Sequence, residues 1–281
     1  MGLYKFKKVE KDVYNVNEMI VSEFIFVGND KYVIVDTGCD FGNYTKYLND
    51  KLLDGEKEVM IVNTHFHPDH SNGNHRFKKV YIGAKDMPFT DEGLPYDRLV
   101  KDISTAIYKN HPIAAIPLRL VVKKVFGTKN GKTEYVPLYD GDEINLGDRK
   151  LIVKELPGHT NGSIVLLDKD RKTIYTGDAV NMATWMFTNP DMKLSEYAQN
   201  LKDFYADVKG EGYKKLRSSH VQITNKVSFI KDYAKFIENI KPGGELIKFN
   251  IPGMPSPLCI KFRLTPKHIA YGCFYFEDQI G

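Results

Sequence analysis

Within six residues the chain carries three histidines and an aspartate, in the run Asn63-Thr64-His65-Phe66-His67-Pro68-Asp69-His70. Imidazole and carboxylate together suit zinc and its first-row neighbours. Val59-Met60-Ile61-Val62 before the run reads as a strand, and Ser71-Asn72-Gly73-Asn74 after it favours a turn. The histidines are therefore expected where a buried strand passes into a loop. A metal needs its ligands about 2 Å from one point, so the rest of the chain must fold to bring further ligands to that loop.

Three later stretches repeat the pattern of strand, ligand-type residue, loop. Leu156-Pro157-Gly158-His159-Thr160-Asn161-Gly162-Ser163 places a histidine among turn residues, Ile174-Tyr175-Thr176-Gly177-Asp178 ends on an aspartate, and Ser218-Ser219-His220 ends on a histidine. Earlier, Val33-Ile34-Val35 leads into Asp36-Thr37-Gly38.

Around these points, strands are expected at Val13–Val16, Met19–Val27, Tyr32–Asp36, Val80–Gly83, Glu143–Asn145, Lys150–Leu156, Ser163–Leu167, Thr173–Thr176 and Lys214–Ser218. Two more are expected near the end, at Cys259–Leu264 and Ile269–Phe276. Helical spacing of apolar residues marks Tyr44–Leu53, Leu194–Val208 and Ser228–Ile240, with Pro242-Gly243-Gly244 as a stop. From about 84 to 136 the pattern changes, with a possible helix over Asp97–Tyr108, a proline-interrupted run over His111–Pro117 and an ambiguous Arg119–Phe126. That segment reads as an insertion into a single domain spanning 1–281, and it could cover the site, as could the Pro252–Pro257 loop. Strand-rich blocks separated by helices argue for an α+β protein of sheets covered by helices.

These stretches together resemble the metallo-β-lactamase superfamily. Thr64 to His70 matches its HxHxDH signature, and Ser71 to Asn74 is similar to the continuation found in glyoxalase II-like and lactonase-like branches. Gly158 to Ser163 resembles their GHTxGS segment, Thr176-Gly177-Asp178 their strand ending in a bridging aspartate, and Ser219-His220 their last histidine. Val35 to Gly38 is similar to a further hallmark. The resemblance runs from about residue 13 to 240, and it implies a four-layer αβ/βα sandwich, the metallo-β-lactamase fold, with a dinuclear site at one edge. By position, His65, His67 and His159 would hold one metal, Asp69, His70 and His220 a second, and Asp178 would bridge them. The cofactors implied are two divalent ions, zinc first, with iron or manganese as alternatives. Asp36 is expected to orient a ligand histidine or the loop, while His75, His111 and His268 are set aside as structural or surface residues.

The chemistry implied is hydrolysis by a metal-bridged hydroxide, with Asp69 as the catalytic residue that orients it and moves a proton. Asn181 stands where similar lactonases carry tyrosine, and Ser163 where glyoxalase II proteins carry a second histidine, so both of those substrates are weakened. Asn181 to Phe187 follows Asp178 and contains Trp185, the only tryptophan; it suits the apolar wall of a small-ligand site. The reading is a hydrolase of a small ester, lactone or thioester. An iron-dependent oxidoreductase of the sulfur dioxygenase kind, or a phosphodiesterase, is the alternative.

Composition bounds the rest. A formal charge of +4 over 281 residues, with Lys and Arg scattered, gives no nucleic-acid stripe, so a small-molecule partner is expected and oligomeric state is open. Cys39, Cys259 and Cys273 are an odd, sparse set without CxxC spacing, which argues against a disulfide framework or a cysteine zinc knot and for buried or neutral thiols in a reducing compartment. With no apolar run of signal or membrane length, no membrane partner and a cytoplasmic location are expected.

Overall fold

Phe24 and Phe26 face one side of their strand and Ile25 the other, yet all three are buried. A strand buried on both faces must lie inside a layered structure. The computed structural model describes residues 4–18, 21–40, 42–87, 132–220, 224–241, 246–248, 258–261 and 272–280. It shows the layers in full.

One sheet contains β1 (Tyr4–Glu10), β2 (Val13–Glu18), β3 (Val21–Val27), β4 (Lys31–Val35), β5 (Glu58–Asn63), β6 (Lys79–Gly83) and β7 (Glu134–Leu138), side by side in that order. The first four strands pair antiparallel, and β4 through β7 pair parallel. The second sheet contains β8 (Glu143–Asn145), β9 (Lys150–Glu155), β10 (Ile164–Asp168), β11 (Thr173–Gly177), β13 (Lys215–Ser218) and β14 (Asn225–Lys226). Its order is β14-β13-β11-β10-β9-β8, and only β11 and β13 pair parallel. A smaller sheet, in the order β12-β17-β16-β15, joins β12 (Ala183–Trp185) to three late strands, β15 (Leu246–Lys248), β16 (Leu258–Lys261) and β17 (Gly272–Tyr275).

Three apolar layers hold these pieces together. Phe24, Phe26, Val33, Val35 and Val62 of the first sheet pack against Leu151, Val153, Ile164, Leu166 and Tyr175 of the second. On the outer face of the first sheet, Ile25, Ile34 and Ile61 cover Tyr44 and Leu48 of helix α1 (Tyr44–Lys51). On the outer face of the second, Val165, Leu167, Ile174 and Leu216 meet α3 (Leu194–Gly210) and α4 (Ser228–Glu238). The one-turn helix α2 (Pro68–Ser71) sits in the histidine loop, with Pro68 at its start where a missing N–H costs nothing. Helix, sheet, sheet, helix is the αβ/βα sandwich expected above. Burying each of these large side chains is worth about 1.5–3 kcal/mol, so the sandwich is a rigid frame for whatever lies at its edge.

Several expectations shift. Tyr4–Glu10 is a strand that the sequence reading left out; Tyr4 and Phe6 alternate with lysines, but as an edge strand it buries little. The far end of the proposed 84–136 insertion belongs to the main sheet, since Glu134–Leu138 pairs with β6; 88–131, with the helix, proline run and ambiguous stretch expected there, lie outside the described residues. The Pro252–Pro257 loop, His111 and His268 also lie outside them. Ala183–Trp185, to which the sequence assigned no element, is a strand because β17 gives its backbone a partner. Cys39 and Cys273 are buried, as expected.

The topology brings strand ends to one edge. β4 and β5 run parallel, so Asp36 and the histidine loop emerge together, and β11 and β13 run parallel, so Asp178 and His220 do as well. Two backbone hydrogen bonds lock the sheets at that edge: Ile164 N–H donates to the Thr64 carbonyl at 2.9 Å and Ser22 N–H to the Ser219 carbonyl at 2.9 Å. Among the described residues, no helix is long and apolar enough to cross a membrane.

Candidate metal centre

All seven candidate ligands meet at this edge. His65, His67 and His159 form one group, Asp69, His70 and His220 another, and Asp178 lies with His65 and His70 between them; within each group the ligand atoms are no more than 4.8 Å apart. His67 Nδ1 is 3.0 Å from His65 Nε2 and 2.8 Å from His159 Nε2. His220 Nε2 is 3.2 Å from His70 Nε2, Asp69 Oδ2 and Asp178 Oδ2 alike. Asp178 also reaches towards His70 Nε2, at 3.6 Å, and towards His159 Nε2, at 3.7 Å.

The hydrogen bonds behind the rings decide which nitrogen carries a lone pair. His159 Nδ1–H donates to the Trp185 carbonyl at 2.8 Å, which leaves Nε2 as an acceptor. His70 Nδ1–H donates to Asp36 Oδ2 at 2.7 Å, with the same result. Thr64 Oγ1 donates to Asp36 Oδ2 at 2.9 Å, so its oxygen accepts from His65 Nδ1 at 3.1 Å. Asp36 thus sets His70 directly and His65 through Thr64, in the orienting role expected of it. Its own backbone is in the left-handed region, φ +68°, held there by the Thr64 N–H donating to Oδ1 at 2.8 Å.

Lone pairs aimed at one another repel unless a positive charge lies among them. Asp178 Oδ1 is buried and accepts no hydrogen bond among the described residues. Five imidazoles and two carboxylates gathered at one place are a donor set that fits divalent cations of the zinc type.

Electrostatics splits the centre in two. Burial, reinforced by neighbouring rings, holds His65 well below the ordinary histidine range, and burial with His159 lowers His67 to about 3. His159 is also lowered by burial. These three are neutral and ready to ligate. Burial opposes charge on His220 as well, but Asp178 and Asp69 outweigh it and push its pKa up to about 10. In the same way Asp69, Asp36 and Asp178 outweigh burial at His70 and raise it. Any cation on this side displaces protons as it binds.

Asp86 was missed in the sequence. It follows β6, the parallel neighbour of β5, and so emerges at the same edge. Its carboxylate accepts from Phe66 N–H at 3.2 Å, Thr160 Oγ1 at 2.8 Å and Gly162 N–H at 2.7 Å, tying the His65–His67 loop to the His159 loop. An aspartate just past a parallel strand beside the ligand strand was the available signal. His75, by contrast, points away from the ligands: its Nδ1 donates to the Asn72 carbonyl at 2.9 Å.

The fold has known relatives. The family model of the metallo-beta-lactamase superfamily matches residues 18–219. The chain is 30% identical over 179 residues to the human acyl-coenzyme A thioesterase MBLAC2, covering 60% of this chain and 62% of the relative's length. A metallo-beta-lactamase from Pontibacter korlensis superposes with a TM-score of 0.61 at 15% identity, over 84% of this chain and 100% of that one. A beta-lactamase domain protein from Burkholderia ambifaria gives a TM-score of 0.61 at 15% identity, over 84% and 73%. These two likenesses concern the fold alone.

Proposed function

Because the chain belongs to the metallo-beta-lactamase superfamily, we propose that it is a metal-dependent hydrolase and that its substrate is an acyl thioester. The convergence of ligand-type side chains around Asp178, whose buried Oδ1 accepts no hydrogen bond among the described residues, carries the first half of this reading. Similarity to a protein named as an acyl-coenzyme A thioesterase supports the second, across the 62% of that relative that the match spans.

His65, His67 and His159 would hold one cation and Asp69, His70 and His220 the other, with Asp178 placed to serve either. When bound, such ions polarise a carbonyl oxygen and lower the pKa of water to about 7, so that a nucleophile exists at neutral pH. The remaining work belongs to side chains. Burial disfavours the Asp69 anion, but His70 and His220 outweigh it and keep the carboxylate ionised. Its side chain is 32% exposed where His70 is fully covered, which gives it access to substrate and solvent. Asp69 therefore receives the proton of the attacking water and passes it to the sulfur leaving group. Trp185 and Asp36 keep the His159 and His70 rings from turning, so the ligand atoms stay placed.

The test is elemental analysis of the purified chain together with thiol release from acyl-coenzyme A. Two equivalents of zinc are expected, with hydrolysis lost on chelation and in Asp178→Asn. Intact cleavage in Asp178→Asn, or no thiol release with both sites filled, would end this reading.

A further inference from the structure

Two strands of the small sheet, β12 and β17, present aromatic side chains where strand alternation calls for polar ones. Along β17, Cys273 and Tyr275 point into the core, fully buried. The opposite face of the same strand carries Phe274, partly exposed, and Phe276 continues it. Along β12, Thr184 points inward and Trp185 outward, with Trp185 40% exposed. The register sets Trp185 beside Phe274, with ring centroids 5.9 Å apart, and Phe187 lies against Trp185 at 5.2 Å. A sheet face open to water is ordinarily polar; an aromatic one marks a binding surface.

Its position says for what. The carbonyl of Trp185 accepts the hydrogen bond from His159 Nδ1, so the aromatic face begins one residue from a ligand ring. Thr188 Oγ1 fastens the same turn, donating to the Trp185 and His159 carbonyls at 2.7 and 2.9 Å. β17, which supplies Phe274, lies beyond the 18–219 stretch that matches the family. Trp185 and Phe187 lie within that stretch, so the aromatic face joins the shared frame to a strand outside it.

We propose that Trp185 and Phe274, backed by the buried Phe187, form the platform for the acyl chain of the substrate, and that the C-terminal strand sets preference for long, apolar acyl groups. The proposal rests on the thioester reading and deepens it. A polar or very short acyl group would leave the platform wet, whereas each methylene laid on it removes apolar surface from water at both partners. Full burial of a methylene is worth about fourfold in affinity, so partial burial on an open face is expected to give roughly twofold per methylene.

Two measurements on the zinc-loaded full chain test this. In the first, kcat/KM is followed across acetyl-, hexanoyl-, decanoyl- and myristoyl-coenzyme A. A rise with chain length is expected, and Phe274→Ala should make it shallower, costing about tenfold for myristoyl and under twofold for acetyl. A flat series in the parent protein, or an equal loss at every length in Phe274→Ala, would overturn the platform. In the second, emission of the only tryptophan is read on addition of the non-hydrolysable dodecyl thioether of coenzyme A, with the methyl thioether as control. A blue shift with the dodecyl compound alone is expected, and the same response to both compounds counts against the proposal. Because the fluorescence arm needs no turnover, a chain that binds the dodecyl thioether but cleaves no thioester would refute the thioesterase reading while leaving the platform standing.

Discussion

Asp36 Oδ2 lies 2.7 Å from His70 Nδ1, with both side chains closed off from solvent. The same carboxylate takes the Thr64 hydroxyl and backbone N–H, so one residue of the first sheet orients ligand rings of both proposed metal sets. Replacing it by alanine removes those acceptors and leaves a β-carbon in left-handed backbone with nothing to hold it there. Asp36→Ala is expected to weaken metal binding 10- to 100-fold, more than Asp36→Asn, which keeps one acceptor. Competition against a chromophoric chelator measures this, and parental affinity in Asp36→Ala would show that the ring needs no such anchor.

Asp86 should matter for stability and metal affinity together. It accepts three hydrogen bonds from two ligand loops, and its truncation strands buried donors. With about 1–3 kcal/mol per unsatisfied group as the upper scale, Asp86→Ala is expected to cost roughly 2–4 kcal/mol in urea unfolding. Occupancy by the His65, His67 and His159 set should fall in parallel. A stability loss with unchanged metal affinity would confine Asp86 to the scaffold.

Glu23 predicts a pH dependence. It is fully buried, neither carboxylate oxygen has a hydrogen-bond partner among the described residues, and burial, then Glu18, raise its pKa well above the ordinary value. An acid raised in the fold binds its proton more tightly there than in the unfolded chain, so stability falls as pH climbs above the ordinary glutamate range of about 4.3. Glu23→Gln, which cannot ionise, should lack that part of the decline. Thermal unfolding between pH 5 and 8 is the measurement: the curves should diverge with rising pH, and parallel curves would refute the prediction.

Gly177 tests how closely the two sheets must meet. Its φ is +51°, and a β-carbon there would sit 2.4 Å from Thr64 Oγ1, the hydroxyl that links Asp36 to His65. Gly177→Ala should destabilise by about 1–3 kcal/mol and disturb metal binding through Thr64. A change below about 0.5 kcal/mol would mean that the strand end before Asp178 moves aside freely.

The metal motif was legible because its spacing is local. Three histidines and an aspartate on one short loop leave few other uses, and each later ligand follows a strand-like run. Asp86 was not legible, since a single aspartate after a strand looks the same whether it caps a turn or ties two loops. Ala183–Trp185 was not legible either, because three residues make a strand only when a distant partner supplies the hydrogen bonds. The edge strand Tyr4–Glu10 escaped for want of burial to shape its pattern.

From sequence alone come the ligand types, their order along the chain and the alternation that demands a layered sandwich, because these depend on residue identity and on neighbours a few positions apart. Tertiary structure alone decided that Asp178 lies within 3.7 Å of His70, His159 and His220, that Asp36 and the Trp185 carbonyl accept from the His70 and His159 rings, and that β17 sets Phe274 beside Trp185. Each of those relations joins residues far apart in the chain, and it exists only once parallel strands end at a common edge and packing across the sheets holds them there.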